Sequence, residues 1–410
     1  MGNSKMNQNM MDKNEIERAR KYACWLYSVP GIGDKTMEKL LALCPDVEQI
    51  YRMGEKLWQK ALTVRQLEQI RDFARETNPE ALYQGLLKQN IRFVTRTDAD
   101  YPKRLRDIPD PPYALFVKGK LPAEGPSVAV IGARECSEYG RFVASGIGKA
   151  LGEGGVQVIS GMARGIDGIS QDAALEAGGI SFGVLGSGVD VCYPESNREL
   201  YEKLCARGGI LSAYPLGTEA RARNFPPRNR IVSGLADALI VVEARHKSGT
   251  LITVDMALEQ GKDVYVVPGR VTDRLSDGCN YLIKQGAGIF LSPEDFLRDL
   301  WEGWLGRNGE NKGTGQAICS EISDAMALQM PESVTRLSPL HREVYGVLDL
   351  QPMSLEQIRG RLSEEQGLQQ LMLVLMELCM EKAAVQVSTG YFARRSGEGK
   401  FDKIHIEQLH

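Results

Sequence analysis

The chain has 410 residues, a formal net charge of −3 and 25% charged residues. This length is too great for one ordinary hydrophobic core, so we expect two or three domains, and the acidic balance excludes a protein that coats nucleic acid with its whole surface. The eight cysteines never fall in a C-x-x-C spacing and the four histidines lie far apart, so neither a metal site nor a disulfide framework is predicted. An apolar run of membrane-spanning length is missing, which predicts a cytoplasmic protein.

Residues 13–90 are predicted to form a small helical domain. Apolar residues recur at helical spacing from Asn14 onward, Pro30 ends the first helix, and the turn Gly31-Ile-Gly-Asp34 precedes a second amphipathic helix. Such a turn is typical of a helix-hairpin-helix, whose backbone N–H groups bind a phosphate. It is equally typical of a tight corner between packed helices, so both interpretations stay open.

Residues 91–300 are predicted to form an α/β domain with an extended Rossmann-like, mostly parallel, doubly wound sheet. Short runs rich in valine and isoleucine alternate with stretches long enough for helices, as in parallel strands that are buried on both faces. The predicted strands begin at Ile91, Ser127, Val156, Ser181, Gly209, Ala238, Asp263 and Gly288. Ligands of such sheets bind beyond the carboxyl ends of the strands. Because Arg134 and Arg164 follow two of these strand ends, the sequence predicts a site for negative charge.

A cluster of positive charge occurs between Ala220 and Leu235, where the chain has four arginines and no acidic residue. Arginine guanidinium groups match phosphate oxygens, and Phe225 offers a face on which an unpaired base can stack. Pro226 and Pro227 predict an extended loop. In the alternative interpretation this segment is only a solvated basic loop, with Phe225 packed into the core.

A second candidate anion site is Lys247-Ser-Gly-Thr250, which opens a predicted helix. Serine before a helix is an ordinary N-cap, but a lysine together with free N–H groups at a helix start can also hold an anion. With Arg134, Arg164 and the arginine-rich segment at the same sheet edge, the pattern predicts a groove that follows a chain of phosphates.

The motifs of nucleotide-cofactor proteins are incomplete. Gly132-Ala-Arg134 lacks the second and third glycines of the dinucleotide fingerprint, and the strand ending at Ser160 is followed by no acidic residue for a ribose. A P-loop sequence is absent too, so no cofactor is predicted. No carboxylate-histidine-nucleophile arrangement can be read around His246.

The C-terminal part predicts a linker and a third domain. Residues 301–336 lose apolar periodicity, as linkers do, and residues 337–396 show three predicted helices followed by two strands, which is typical of a winged helix. The third helix has no Lys or Arg between Arg361 and Lys382 and several glutamates. We therefore expect it to contact protein and not the major groove of DNA.

Six motifs, in this order along the chain, resemble the DNA-processing protein A family, also called DprA or Smf. They are Gly132-Ala-Arg134, Ser160-Gly-Met-Ala-Arg-Gly-Ile-Asp167, Leu185-Gly-Ser-Gly-Val-Asp190 with Tyr193-Pro194 and Asn197, Phe225-Pro-Pro-Arg-Asn-Arg230, Lys247-Ser-Gly-Thr-Leu-Ile-Thr253 and Val267-Pro-Gly269. The resemblance covers the whole α/β domain. For the flanking regions it implies a helical domain similar to a sterile alpha motif first and a winged helix last.

The resemblance implies a homodimer that binds single-stranded DNA without sequence preference, protects incoming strands in natural transformation, helps to load the RecA recombinase, and has no catalytic turnover. The residues that it implies as DNA contacts are Arg134, Arg164, Phe225, Arg228, Asn229, Arg230, Lys247, Ser248 and Gly249. The backbone of Gly132, Gly161 and Gly165 would form the pocket wall. Two departures concern details of the pocket, since the family usually has a histidine at Gln171 and a glutamate at Ala213.

Two other functions stay open at this point. Cytokinin-activating phosphoribohydrolases share a related sheet and bind a nucleoside monophosphate at the same edge, but they depend on a Pro-Gly-Gly-x-Gly-Thr turn that Lys247-Ser-Gly-Thr250 does not match. A regulator that reads double-stranded DNA through the C-terminal domain is disfavoured by the acidic third helix.

Overall fold

The computed structural model describes residues 2–308, 332–363 and 366–395. Helices α1 to α6 come first and are followed by the strands of a large sheet. Their bounds are Gly2–Ser28 (α1), Asp34–Leu43 (α2), Val47–Met53 (α3), Glu55–Ala61 (α4), Val64–Glu76 (α5) and Pro79–Lys88 (α6). Most of the predicted linker, residues 309–331, lies outside the described residues. Residues 301–308, at the start of the predicted linker, are helical, because they belong to the helix Pro293–Asn308.

The N-terminal helices pack around a cluster of aromatic rings. Trp25 is fully buried and contacts the rings of Tyr51, Trp58 and Phe73, with centroid distances of 4.8, 6.3 and 5.4 Å. Its indole N–H donates to the carbonyl of Thr77 at 2.8 Å, which satisfies the only polar group of the ring. The hydrophobic core continues from these helices into the first strands of the sheet.

From Ser127 onward the strands and helices of the α/β region alternate as predicted, whereas the strand Ala114–Gly119 was not predicted. The strands are Ile91–Thr95 (β1), Ala114–Gly119 (β2), Ser127–Ile131 (β3), Gln157–Ser160 (β4), Ser181–Val184 (β5), Gly209–Ser212 (β6), Ala238–Val241 (β7), Asp263–Val266 (β8) and Gly288–Ile289 (β9). The helices are Lys103–Arg106 (α7), Glu138–Glu153 (α8), Ile166–Glu176 (α9), Arg198–Arg207 (α10), Phe225–Gly234 (α11), Gly249–Glu259 (α12), Asp277–Lys284 (α13) and Pro293–Asn308 (α14).

Within the described residues, the nine strands form one sheet in the order β1-β2-β6-β5-β4-β3-β7-β8-β9. From β6 to β9 all neighbouring strands are parallel, whereas β2 is antiparallel to β6 and β1 to β2. The predicted Rossmann-like, mostly parallel sheet is therefore confirmed. The chain builds the sheet in one direction from β3 to β6 and then returns to add β7 beside β3. This reversal opens a crevice at the carboxyl ends of β3 and β7.

Helices cover both faces of the parallel strands. In β3, Val128 and Val130 belong to the core under α8 and α14, whereas Ala129 and Ile131 belong to the core under α11, α12 and α13. Both faces of this strand are buried, which explains why its sequence shows no alternation of apolar and polar residues.

The C-terminal part has four helices and three short strands among the described residues. They are Glu332–Thr335 (α15), Pro339–Val347 (α16), Met353–Ser354 (β10), Leu355–Arg359 (α17), Leu368–Met380 (α18), Ala384–Ser388 (β11) and Tyr391–Arg394 (β12). The strands form an antiparallel sheet in the order β10-β12-β11. On α18 the exposed side chains include Leu373, Met376 and Met380. The winged-helix interpretation stays a prediction.

Candidate nucleic-acid interface

A cleft of about 1010 Å³ lies at the carboxyl ends of the parallel strands, where the sheet reverses direction. Its wall is formed by the loops after β3, β4 and β7 and by the first residues of α9, α11 and α12. The predicted site residues that line it are Gly132, Arg134, Gly161, Arg164, Gly165, Phe225, Arg228, Asn229, Ser248 and Gly249. Lys247 is exposed immediately before this last pair. Arg230 lies elsewhere, as described below.

The glycines of the wall allow backbone and side chains to approach closely. A Cβ atom on Gly161 would lie 2.5 Å from Nη1 of Arg228 and 2.7 Å from Oδ2 of Asp167, so no larger residue fits. Gly165 has φ +75° and passes directly under the carbonyl of Ala133. Since this conformation is the left-handed one that only glycine adopts freely, Gly165 sets the entry of the chain into α9.

Arg228 was predicted to contact a DNA phosphate, but its side chain is buried. Its guanidinium group binds backbone carbonyls of the protein. Its Nη1 donates to the carbonyls of Gly161, at 2.8 Å, and Val184. Burial lowers the pKa of Arg228 to about 10, while the carboxylate of Asp167 acts in the opposite direction. Arg228 therefore remains charged at neutral pH and joins the ends of β4 and β5 to α11.

Asp167 lies behind the loop that follows β4. Its Oδ2 accepts the N–H of Gly161 at 3.1 Å. Burial raises the pKa of Asp167, and the charge of Arg228 opposes this shift. The two groups hold the glycine loop between them, so the shape of the cleft depends on both.

Gln171, the first departure from the family pattern, also supports this loop. Its Oε1 accepts the N–H of Met162 at 3.1 Å, and its Nε2 donates to the carbonyl of Phe182 at 2.9 Å. The amide thus satisfies a donor that follows β4 and an acceptor within the adjacent strand β5. Ala213, the second departure, packs against the core on the α11 side of the sheet.

Phe225 is half-buried at the rim of the cleft and takes part in a stack of rings and guanidinium groups. The Cζ atoms of Arg134 and Arg228 lie 5.3 and 5.8 Å from its ring centroid, within cation–π distance. The ring of Tyr193 stacks on it with a centroid distance of 5.8 Å and an interplanar angle of 27°. Tyr193 belongs to the third family motif, but it was not among the predicted DNA contacts.

The prediction of an extended loop around Pro226 and Pro227 is wrong. A short 3-10 turn leads into α11, which begins at Phe225, and both prolines occupy its first turn. Proline is tolerated there because the first N–H groups of a helix have no partner within the helix. Each residue of a helix is rotated by about 100° from the last, so Arg228 and Arg230 point to different sides of α11.

Arg230 faces the N-terminal helices and not the cleft. Its Nη2 donates to Oδ2 of Asp34 at 2.6 Å, and its Nη1 lies 2.5 Å from Oδ2 of Asp110. The structure thus brings Arg134 and Arg228 together but leaves Arg230 apart from them. The predicted DNA contact at Arg230 does not fit this geometry, because the guanidinium is already occupied by two carboxylates.

Asp34 belongs to the turn that the sequence assigned to a helix-hairpin-helix or to a tight corner. Its Oδ1 accepts the hydroxyl of Tyr27 at 2.7 Å and the N–H of Tyr113 at 2.8 Å. A carboxylate at the first position of α2 also repels a phosphate from the N–H groups beside it. These contacts favour the tight corner.

The start of α12 offers free donors to the cleft. Ser248 precedes the helix without forming a side-chain cap, and its buried Oγ has no hydrogen-bond partner among the described residues. A Cβ atom on Gly249 would meet open space. A ligand could therefore approach the backbone N–H groups here without obstruction.

The cleft is also lined by two arginines that were not predicted from the sequence, Arg141 and Arg245. Arg245 follows the end of β7 just as Arg134 follows β3, so the rule that identified Arg134 could have found it. Arg141 lies in the first turn of α8, where it forms an ion pair with Glu138 at 3.4 Å. With these two, five arginines and two acidic residues line the cleft, and its net charge is positive.

This fold and this site define a class of proteins: Rossmann-like proteins with a positively charged cleft at the switch point of a parallel sheet. Comparison with known families agrees with the class and narrows it. The chain belongs to the DNA recombination-mediator protein A family, whose model matches residues 92–301. The matched segment contains every residue that lines the cleft.

Individual relatives support the same assignment. The chain is 39% identical over 280 residues to protein Smf of Escherichia coli, a match that covers 67% of this chain and 73% of that protein. It is 41% identical over 204 residues to the DNA processing protein DprA of Streptococcus pneumoniae, covering 50% of this chain and 72% of that protein. The crystal structure of DprA from Streptococcus pneumoniae superposes with a TM-score of 0.59 at 34% identity, covering 68% of this chain and 96% of that one.

None of the described helices combines the length and the hydropathy that are needed to cross a bilayer.

Proposed function

We propose that the protein binds single-stranded DNA in this cleft, without sequence preference, and delivers it to the RecA recombinase during DNA uptake and natural transformation. The observation that supports this proposal most directly is the group formed by Arg134, Arg228, Phe225 and Tyr193 at the rim of a positively charged cleft. Guanidinium groups beside aromatic rings are the combination that binds phosphates and unpaired bases together.

The geometry favours a single strand for a steric reason. The rings lie at the rim of a concave site, and a base can reach their faces only when it is not stacked in a duplex. The exposed guanidinium groups of Arg134, Arg164 and Arg245 would hold the backbone, and the N–H groups at the start of α12 would donate hydrogen bonds to another phosphate. In this proposal Arg228 supports the cleft from within.

The remaining parts of the proposal rest on the family. We propose that the protein acts as a cytoplasmic homodimer and that it has no catalytic turnover. We also propose three domains, residues 13–90, 91–300 and 337–396, with a linker at residues 301–336 between the last two. The family name describes mediation of recombination, which fits delivery of the bound strand to a recombinase. The exposed apolar side chains of α18 suit a role of the C-terminal domain in protein contact.

A phosphoribohydrolase is the second candidate, because it would use the same sheet edge. Such chemistry needs an acidic residue that reaches the ribose. In the cleft Asp167 is buried against Arg228 and Gly161, so this carboxylate is committed to the fold. Incubation of the protein with nucleoside monophosphates should release no free base.

The central experiment measures fluorescence anisotropy of a labelled oligonucleotide with the full chain. We expect tight binding to a single strand and at least ten-fold weaker binding to a duplex of the same length. The logarithm of the affinity should fall linearly with the logarithm of the salt concentration, with a slope of about −0.7 per phosphate contacted. Equal affinity for both oligonucleotides would refute the proposal. Faster assembly of RecA on the bound strand would support the delivery step.

A further inference from the structure

Tyr193 presents the more accessible aromatic ring of the cleft. Its side chain is 44% exposed, whereas the ring of Phe225, on which it stacks, is half-buried. We propose that Tyr193 is the residue on which an unpaired base stacks, and that Phe225 serves as the support behind it. This inference rests on the proposed function and specifies which ring meets the ligand.

Phe225 is poorly placed to receive a base because its surroundings are already occupied. The backbone of Gly186 packs against the ring, since a Cβ atom on that glycine would lie 2.9 Å from Cδ1 of Phe225. The guanidinium groups of Arg134 and Arg228 and the ring of Tyr193 contact it as well. These neighbours leave less of the Phe225 ring open to a base than of the Tyr193 ring, which is 44% exposed.

A base also does not fit between the two rings. Stacked atoms approach to about 3.5 Å, so an intercalated base would need about 7 Å between the flanking planes. The centroids of Tyr193 and Phe225 are 5.8 Å apart. The face of Tyr193 that points away from Phe225 is therefore the more accessible surface for stacking.

The loop that carries Tyr193 is held in place before any ligand binds. Nδ2 of Asn197 donates to the carbonyls of Met162 and Ala163, at 3.0 and 3.1 Å, and so ties the loop to the glycine turn after β4. On the other side, Asp190 accepts the N–H of Gly217 at 3.0 Å. A ring on such a loop loses little conformational entropy when a base stacks on it.

The test compares Tyr193→Leu, Tyr193→Phe and the control Tyr391→Leu in the full chain. Tyr391 is 45% exposed and lies on β12, outside the cleft. Affinity is measured for an oligothymidine and for an oligonucleotide of equal length with abasic sites. Tyr193→Leu should weaken binding of oligothymidine by about 5- to 150-fold, the loss of one stacked base, and should leave binding of the abasic strand unchanged.

Tyr193→Phe should retain the affinity, because stacking uses the ring and not the hydroxyl. Photocrosslinking with 5-iododeoxyuridine should modify Tyr193. Unchanged binding of oligothymidine by Tyr193→Leu, or a crosslink to Phe225, would overturn the inference while leaving the preference for single strands intact. If the unaltered protein itself shows no such preference, the proposed function fails first. Circular dichroism of each variant confirms that it is folded.

Discussion

Replacing Asp34 with alanine should destabilise the protein by about 3–5 kcal/mol, because one carboxylate serves three partners. The change removes the ion pair with Arg230 and leaves the hydroxyl of Tyr27 and the N–H of Tyr113 without an acceptor. The Arg230 and Asp34 side chains are only 14% and 16% exposed. Hydrogen bonds to a charged group contribute about 1.5–3 kcal/mol each. Arg230 keeps its pair with Asp110, so the lost ion pair adds less than a fully buried one would.

The same change should also weaken binding of single-stranded DNA. Arg230 lies on α11, the helix whose first turn places Phe225 and Arg228 at the cleft. The pair with Asp34 therefore fixes the orientation of that helix against the N-terminal helices. When the pair is lost, the rings at the rim have more freedom, and ordering them on binding costs more.

The assay is urea denaturation followed by tryptophan fluorescence, with the anisotropy titration in parallel. Asp34→Asn should fall between the unaltered protein and Asp34→Ala, because its amide oxygen can still accept both hydrogen bonds that Oδ1 accepts, whereas its NH2 group cannot replace the carboxylate charge that pairs with Arg230. The control is Asp72→Ala, which breaks an exposed ion pair with Arg75 and should change the midpoint little. An Asp34→Ala midpoint equal to that of Asp72→Ala would refute the reasoning.

Three further predictions concern the cleft. Gly161→Ala should cost about 1–3 kcal/mol of stability, because its Cβ would lie 2.5 and 2.7 Å from buried polar atoms, whereas Gly249→Ala, with open space around its Cβ, should melt normally. Arg134→Ala should reduce the magnitude of the salt slope by about 0.7 per lost phosphate contact for every sequence, and Arg75→Ala should not. Asp167 has a raised pKa in the folded state, so its contribution to stability should fall as the pH rises from 3.8 through that raised pKa. The measurement is the urea midpoint of Asp167→Asn and of the unaltered protein over this pH range. If the difference between the two midpoints stays constant with pH, the prediction is wrong.

The parallel sheet was predictable because its signal is local. A strand such as Ser127–Ile131 is buried on both faces, and an unbroken apolar run reports that burial directly. The carboxyl ends of parallel strands share one edge of the sheet. Arg134 and Arg164 follow two of these strand ends, so the sequence alone places them at one site. The structure puts both at the cleft.

The partners of α11 could not be predicted in this way. Asp34 and Arg230 are separated by 196 residues, and no local pattern indicates that they meet. The conformation of Pro226 and Pro227 was equally undetermined, because proline suits an extended segment and the first turn of a helix alike. The stacking of Tyr193 on Phe225 could not be predicted for a related reason, since it depends on the packing of two distant segments.

Positive charge counted along a sequence differs from positive charge offered to a ligand. Of the four arginines between Ala220 and Leu235, Arg228 is buried against carbonyls, Arg230 is paired with Asp34, and Arg221 is paired with Glu219 at 3.0 Å. Most of that local charge is therefore committed within the protein.

The exposed guanidinium groups of the cleft come instead from arginines that the sequence shows singly, each after a different strand. They are Arg134 after β3, Arg164 after β4 and Arg245 after β7. Strand ends at a switch point converge in space even though they lie far apart along the chain. The sheet thus concentrates charge that the composition disperses, and a chain with a net charge of −3 can present a positive surface to a polyanion at this edge alone.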